Sequence, residues 1–295
     1  MKRREFLRLV AASLVIGGLD GRLDNLFAGE PSTVSAAEGS DYPETTRRAI
    51  AAVGGMQKFV KRGNVVVVKP NLGWDRKPEF AATTHPLVVR AIVEECLKAG
   101  ARKVKVFDNP CNDPRRCYES SGVQGALKGL RNVELKYMED ERYKNVRLNG
   151  VFLKEWRLYD EALSADVFIN VPVAKHHGLT RLTLALKNIM GIMGGNRGYI
   201  HRAIEDALVD VNTMVKSHLV VIDATRILLN HGPQGGNLKD VRVLNKVIAS
   251  QDIVAADAYA ATLFGLKPED ISTTVTAFKR GMGEISLNKI RMVRA

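Results

Sequence analysis

Residues 64–109 read NVVVVKPNLGWDRKPEFAATTHPLVVRAIVEECLKAGARKVKVFDN, and this stretch decides the fold. Val65–Val68 is apolar at four successive positions, so both faces of a strand there are greasy. That is the mark of a strand buried in a parallel sheet. His85–Ala99 reads as a helix, with Pro86 in its first turn and Gly100 as its stop. Lys103–Phe107 is the next short strand. A strand, a crossover helix and a second strand make a parallel pair.

The same alternation continues outward. Tyr42–Val60 reads as a helix upstream. Downstream come a helix at 117–130, a strand at Val133–Met138 and a small hairpin at 146–159 around Asn149-Gly150. Asp166–Val171 is a strand, Thr180–Met190 and Ile200–Val215 are helices, and His218–Ile222 is a strand. Helices at Asp252–Phe264 and 272–280 and an edge strand at Arg291–Val293 complete the chain. The expected fold is α/β, a largely parallel sheet flanked by helices with a small β-hairpin insertion. There is no internal repeat.

Composition narrows the function classes. The 295 residues are 45% hydrophobic, ordinary for a protein with a real core, and the formal charge is +12. No apolar run reaches the ~20 residues that span a bilayer, so no stable transmembrane span is expected after processing. The basic residues are scattered, with a mild concentration between Arg115 and Arg157. Zinc-finger spacing and aromatic-rich RNA-binding signatures are lacking. The charge is read as a solvated surface or as a site for a small anionic ligand, with no nucleic-acid partner.

The first residues read as an address. Lys2-Arg3-Arg4-Glu5-Phe6-Leu7-Arg8 precedes the weakly apolar run Leu9–Leu19. This resembles a bacterial twin-arginine export signal, with Val34-Ser35-Ala36 as a small-residue cleavage site. The expectation is a signal at 1–36, recognition by the twin-arginine export machinery, a periplasmic location and one domain over 37–295. Cys96, Cys111 and Cys117 are too few for a four-thiolate cluster. Cys96 falls on a helix. Cys111 and Cys117 share a polar loop, where a disulfide and free thiols both remain open.

Ligands of open parallel sheets sit beyond the carboxyl ends of the strands. Just past the expected strands lie Lys69-Pro70-Asn71, Asp108-Asn109, Lys175-His176-His177 and Asp223. One such ending is routine turn chemistry; four suggest the floor of a cleft. Trp74, just past the first strand, could close over a ligand, and the His231-Gly232-Pro233 loop could cap it. Thr180, Thr183 and Lys187 form one stripe on the expected helix, which is otherwise apolar. A desolvated Lys187 is a candidate base or nucleophile. Asn188 is adjacent, and the glycine-bearing loop with Arg197 leads to His201. Consecutive histidines in an extended segment point opposite ways, so His176 and His177 supply one ligand between them. The candidates are Lys187, His201 and His176 for catalysis. Lys69, Asn71, Asp108, Lys175, Asn188, Arg197 and Asp223 are candidates for ligand binding. His176 with His201 is the candidate metal pair, without the short spacing that would demand a metal.

At these residues the chain resembles a known family. VVVKPNL, TTHPLVVRAIVEECLKAGARKVKVFDNP, VPVAKHHGLTRLTLALKNIMGI, RGYIHR, VVIDATRILLNHGPQGG and QDIVAADAYAATLFGLKPEDI follow in order. Together they are similar to the bacterial and archaeal family known as domain of unknown function 362. Many of its members carry ferredoxin-like cysteine clusters. This chain lacks those cysteines, so no intrinsic iron–sulfur cluster is expected. The motif order is also similar to the nickel-dependent lactate racemase family, which would make Lys187 and His201 cofactor contacts, by analogy of fold alone.

Three readings remain open. One is an exported enzyme acting on a small carboxylate or phosphate, with a metal or cofactor as an option. The second is a non-catalytic protein that captures an anion or a metal complex. The third is a redox partner of a separate iron–sulfur protein.

Overall fold

The computed structural model describes residues 31–295, and the compact unit runs from Ser32 to Ala295. In chain order its elements are β1 (Thr33–Glu38), α1 (Tyr42–Ala52), α2 (Met56–Phe59), β2 (Val65–Pro70), α3 (Pro86–Lys98) and β3 (Lys103–Val106). Then come α4 (Pro114–Ser120), α5 (Val123–Leu127), β4 (Val133–Leu135), β5 (Tyr143–Arg147), β6 (Glu155–Tyr159) and α6 (Asp160–Leu163). They are followed by β7 (Val167–Val171), β8 (Val173–His177), β9 (Arg181–Thr183), α7 (Ala185–Asn188) and α8 (Ile204–Met214). The last are β10 (Leu219–Leu228), β11 (Val241–Ser250), α9 (Ile253–Thr262), α10 (Ser272–Lys279) and β12 (Arg291–Arg294).

The sheet order is β12-β1-β11-β10-β7-β2-β3-β4, with β8 beside β10 and β9 beside β8. From β10 through β7, β2 and β3 to β4 every pairing is parallel. Antiparallel pairs occur around β11 and between β8 and β9. The four valines explain the centre. Val66 and Val68 enter the core that packs against α1 and α3, and Val67 enters the opposite core under the hairpin and α8. A strand apolar on both faces has nowhere stable except between two helical layers.

The expected α/β class is the one observed, and the β5–β6 hairpin forms a separate two-stranded sheet. Its first strand begins earlier than expected and its second later than a turn at Asn149-Gly150 would place it, pairing from Tyr143↔Tyr159 to Arg147↔Glu155. The connection is longer than a tight turn because it is anchored from outside. Asp210 of α8 is fully buried and accepts N–H bonds from Val151, Phe152 and Leu153 at 2.8, 2.9 and 2.8 Å.

Other expectations change, three of them near the site or the start of the fold. The helix read over Tyr42–Val60 breaks at Gly54-Gly55, both at positive φ, into α1 and α2. Thr180–Met190 is not one helix. Arg181–Thr183 is a strand paired with β8, and helix begins only at Ala185. Leu182, Leu184 and Leu186 recur at every second residue, a strand period that also fits an all-round apolar helix. Residues 34–36, read as a cleavage site, lie inside β1 between β11 and β12, so the folded unit begins ahead of residue 37. Small side chains suit both readings, since Ala and Ser also fit a strand crowded on both sides. The twin-arginine motif itself lies outside the described residues.

Arg280 completes the Asp210 site with a 2.7 Å ion pair. Asp210→Ala should strand that guanidinium together with three backbone donors. The expected loss in urea unfolding is about 3–5 kcal/mol, as for other broken buried pairs; a loss below about 1 kcal/mol would contradict this anchoring role.

Candidate functional site

The carboxyl ends of the parallel strands open into a cavity of about 390 Å³. Strand parity orients the side chains that approach it from β2 and β7. On β2, Lys69 shares the face of Val67, and on β7 Asn170 shares that of Phe168. Lys69 therefore points toward the turn after α7. Its ammonium pairs with Asp108 Oδ1 at 2.7 Å and donates to Pro70 O at 2.9 Å and Asn188 Oδ1 at 3.0 Å. Lys69 and Asp108 are 1% and 3% exposed. Asp108 Oδ2 also accepts the Leu72 N–H at 2.6 Å. All three ammonium protons of Lys69 thus have partners, and its charge is neutralised in place. Burial lowers the pKa of Lys69, and the Asp108 carboxylate opposes that shift.

Asn188 and Asn71 link this pair to the other cations. Asn188 donates to Asn170 Oδ1 at 2.9 Å and to Lys69 O at 3.3 Å. Its oxygen also accepts from Asn71 Nδ2 at 3.0 Å. Asn71 Oδ1 in turn accepts from Lys175 at 3.1 Å, and Lys175 also donates to Ala82 O. Lys175 is fully buried with no carboxylate partner; desolvation pulls its pKa to about 7, against a smaller opposing pull from Asp108.

Lys187 is the least satisfied cation. It is 8% exposed and lines the cavity. Its ammonium donates to the Met190 thioether, a weak acceptor. Burial brings its pKa down to about 8. The segment that carries it is held by Asp257 of α9, which accepts the Ala185 and Leu186 N–H groups at 2.8 and 3.0 Å. Asp257 is buried enough to titrate near 7. Arg197 closes the far wall. Its guanidinium donates to Asn109 O at 2.8 Å and Pro110 O at 3.1 Å, tying its segment to the loop after β3.

The structure thus brings together Lys69, Asn71, Asp108, Lys175, Lys187, Asn188, Arg197 and His201 around one cavity. Two candidates fall elsewhere. Asp223 lies on the parity of Val221, which faces the α1–α3 core. There it accepts the His85 N–H at 2.7 Å and both donors of Thr225. His176 lies on the parity of Ala174 and turns from the cavity, its Nδ1 accepting the Gly232 N–H at 3.1 Å. His177 shares the face of Lys175 and lines the cavity in its stead. His176 and His201 therefore do not face one cavity. Among the described residues no three His, Cys, Asp or Glu side chains cluster as a metal site. The residues present do not by themselves build one.

His177 Nδ1 accepts the Leu179 and Thr180 N–H groups at 3.1 and 3.3 Å. A neutral ring accepting at Nδ1 carries its proton on Nε2. Burial first, then the charges of Lys187 and Lys175, hold its pKa near 3. His177 is thus a neutral donor, not a base. His201 is also shifted down, by burial and by Lys187. Reading from sequence left His177 open beside His176, took Gly191 only as part of a glycine-bearing segment, and gave no role to Asn170 or Asp257. The period-two pattern, anchored on Lys175, would have chosen His177.

Gly191 is there because the ion pair passes against it. A Cβ would lie 1.7 Å from Asp108 Oδ1 and 2.4 Å from Lys69 Nζ. Gly191→Ala should push the pair apart and cost about 1–3 kcal/mol in urea unfolding, the usual penalty of overpacking. Unchanged stability would contradict the close approach.

The chain is 29% identical over 245 residues to a thylakoid-associated protein of Synechocystis sp., covering 80% of this chain and 74% of the relative. Among solved structures it is similar to the lactate racemase apoprotein from Thermoanaerobacterium thermosaccharolyticum. The TM-score is 0.50 and the identity 11%, with 78% of this chain and 56% of that one covered. The chain thus spans little more than half of that structure, and the likeness is one of fold. Residues 66–262 match the family described as Domain of unknown function (DUF362), and the chain belongs to that family.

Proposed function

We propose that this cleft binds a small anion, a carboxylate or phosphate, and that Lys187 exchanges a proton with it. One observation carries the reading: four basic side chains and a single carboxylate line one cavity, and that carboxylate is already taken by Lys69. Lys175, Lys187 and Arg197 then share a cavity without a counter-charge of their own, which favours an anionic guest. Nε2–H of His177 adds a neutral donor. A lysine that titrates at about 8 changes protonation near neutral pH, as a general acid or base requires. A non-catalytic anion carrier would use the same wall without the proton step. The reading also places the protein in the periplasm, exported by the twin-arginine route. The paired arginines, Phe6 and short apolar run support this.

Calorimetry with inorganic phosphate and with acetate tests the site. Binding is expected at pH 6.5 and should weaken through pH 7–9, as Lys175 and Lys187, titrating at about 7 and about 8, lose their charges. Lys187→Met should weaken it by at least about tenfold, as for loss of one charged hydrogen bond. Binding of neither anion, or equal binding to Lys187→Met, would refute the proposal.

Stability follows with a definite sign. Both folded-state values lie below the ordinary lysine value of 10.5. The free cleft therefore destabilises the fold fully below about pH 7, and the cost fades as pH rises toward 10.5. Phosphate should raise the melting temperature more at pH 6.5 than at pH 9; a larger gain at pH 9 would contradict this.

A further inference from the structure

We propose that Cys111 is a covalent site of this cleft, an exposed thiol that takes disulfides of acidic peptides in preference to cationic ones. The inference rests on the anion-binding reading and adds a nucleophile to it. Three observations support it. Cys111 is free and exposed, while Cys96 and Cys117 are buried. It lies on the cavity wall shared with Lys175 and Lys187, and its N–H is fixed to Gly73 O at 2.8 Å. Finally, Lys187 is 8% exposed, and its ammonium has only the Met190 thioether as a partner among the described residues.

Charge supports the same geometry. A Cys111 thiolate favours the protonated forms of Lys175 and Lys187, so thiolate and ammonium groups attract across one cavity. The remaining thiols are poorly suited to the reaction. Burial pushes Cys117 up to about 11 and Cys96 higher still, and the thiolate is the reactive form.

The reaction is thiol–disulfide exchange. Cys111 gives its proton to solvent, and its Sγ attacks one sulfur of the incoming disulfide. An Sγ–S bond forms as the S–S bond breaks, and the departing thiolate leaves with the electron pair and takes up a proton from water. The disulfide is the oxidant, and one thiol is released for each mixed disulfide formed. The adduct's carboxylates lie beside Lys187, so the modified cleft excludes a diffusible anion.

The test offers the full chain equal amounts of glutathione disulfide, which is acidic, and cystamine, which is cationic. Adducts are located by peptide mass mapping. At low salt the folded protein should favour glutathione on Cys111 by about tenfold or more relative to the urea-unfolded chain, the scale of focusing by a charged cleft. The preference should shrink in 1 M salt, where the Debye length is only about 3 Å. Inorganic phosphate should slow the reaction. Lys187→Gln should lose most of the preference while Cys111 stays reactive, which separates the cleft from the chain's overall positive charge; Arg197→Gln serves if Lys187→Gln does not fold. Cystamine favoured on the folded protein, adducts on Cys96 or Cys117, or an unchanged preference in both variants would overturn the proposal. If phosphate binds yet cystamine is preferred, the thiol inference falls alone. If phosphate fails to bind and glutathione shows no advantage, the anion reading falls with it.

Discussion

Lys69 and Asp108 meet inside the protein, and the arrangement around them exists to make that burial tolerable. Two charges removed from water destabilise a fold unless their remaining hydrogen-bonding capacity is met. Here Pro70 O and Asn188 Oδ1 accept the other ammonium protons, and the second carboxylate oxygen accepts the Leu72 N–H. The pair therefore fastens the ends of β2 and β3 to the turn after α7. Gly191 follows from it, since no other residue leaves room for the pair to pass.

Once that carboxylate is committed, the remaining cations differ in how well they are held. Lys69 has three strong partners, Lys175 has two, and Lys187 has a thioether. This gradient separates structure from function more clearly than burial does, because all three lysines are buried. A fully bonded lysine stiffens a wall. A poorly bonded one, held in place by Asp257 through the backbone of its own helix, is available to a guest. The neutral His177 adds a donor without adding charge.

Much of the candidate site was legible before folding. Lys69, Asn71, Asp108 and Lys175 follow apolar strands, and the strand ends of a parallel sheet share one edge. Lys187, Asn188, Arg197 and His201 stood out as polar residues on an apolar, glycine-rich segment. His176 and Asp223 were misassigned for one reason: adjacent strand residues face opposite sides. Similarly, the leucines from 182 to 186 satisfied a helix and a strand equally, and pairing with β8 chose the strand.

The sequence by itself determined the layered α/β class, because an unbroken run of valines can be buried only between two covered faces. It also determined that cationic side chains would gather where the strands end. Only the tertiary structure decided which histidine enters, which lysine is neutralised and which thiol is exposed. Those outcomes depend on strand register and on partners such as Asp108, Asn188 and Asp257, many residues away along the chain. Local composition states that a group is costly to bury; the fold alone supplies, or withholds, the group that offsets the cost.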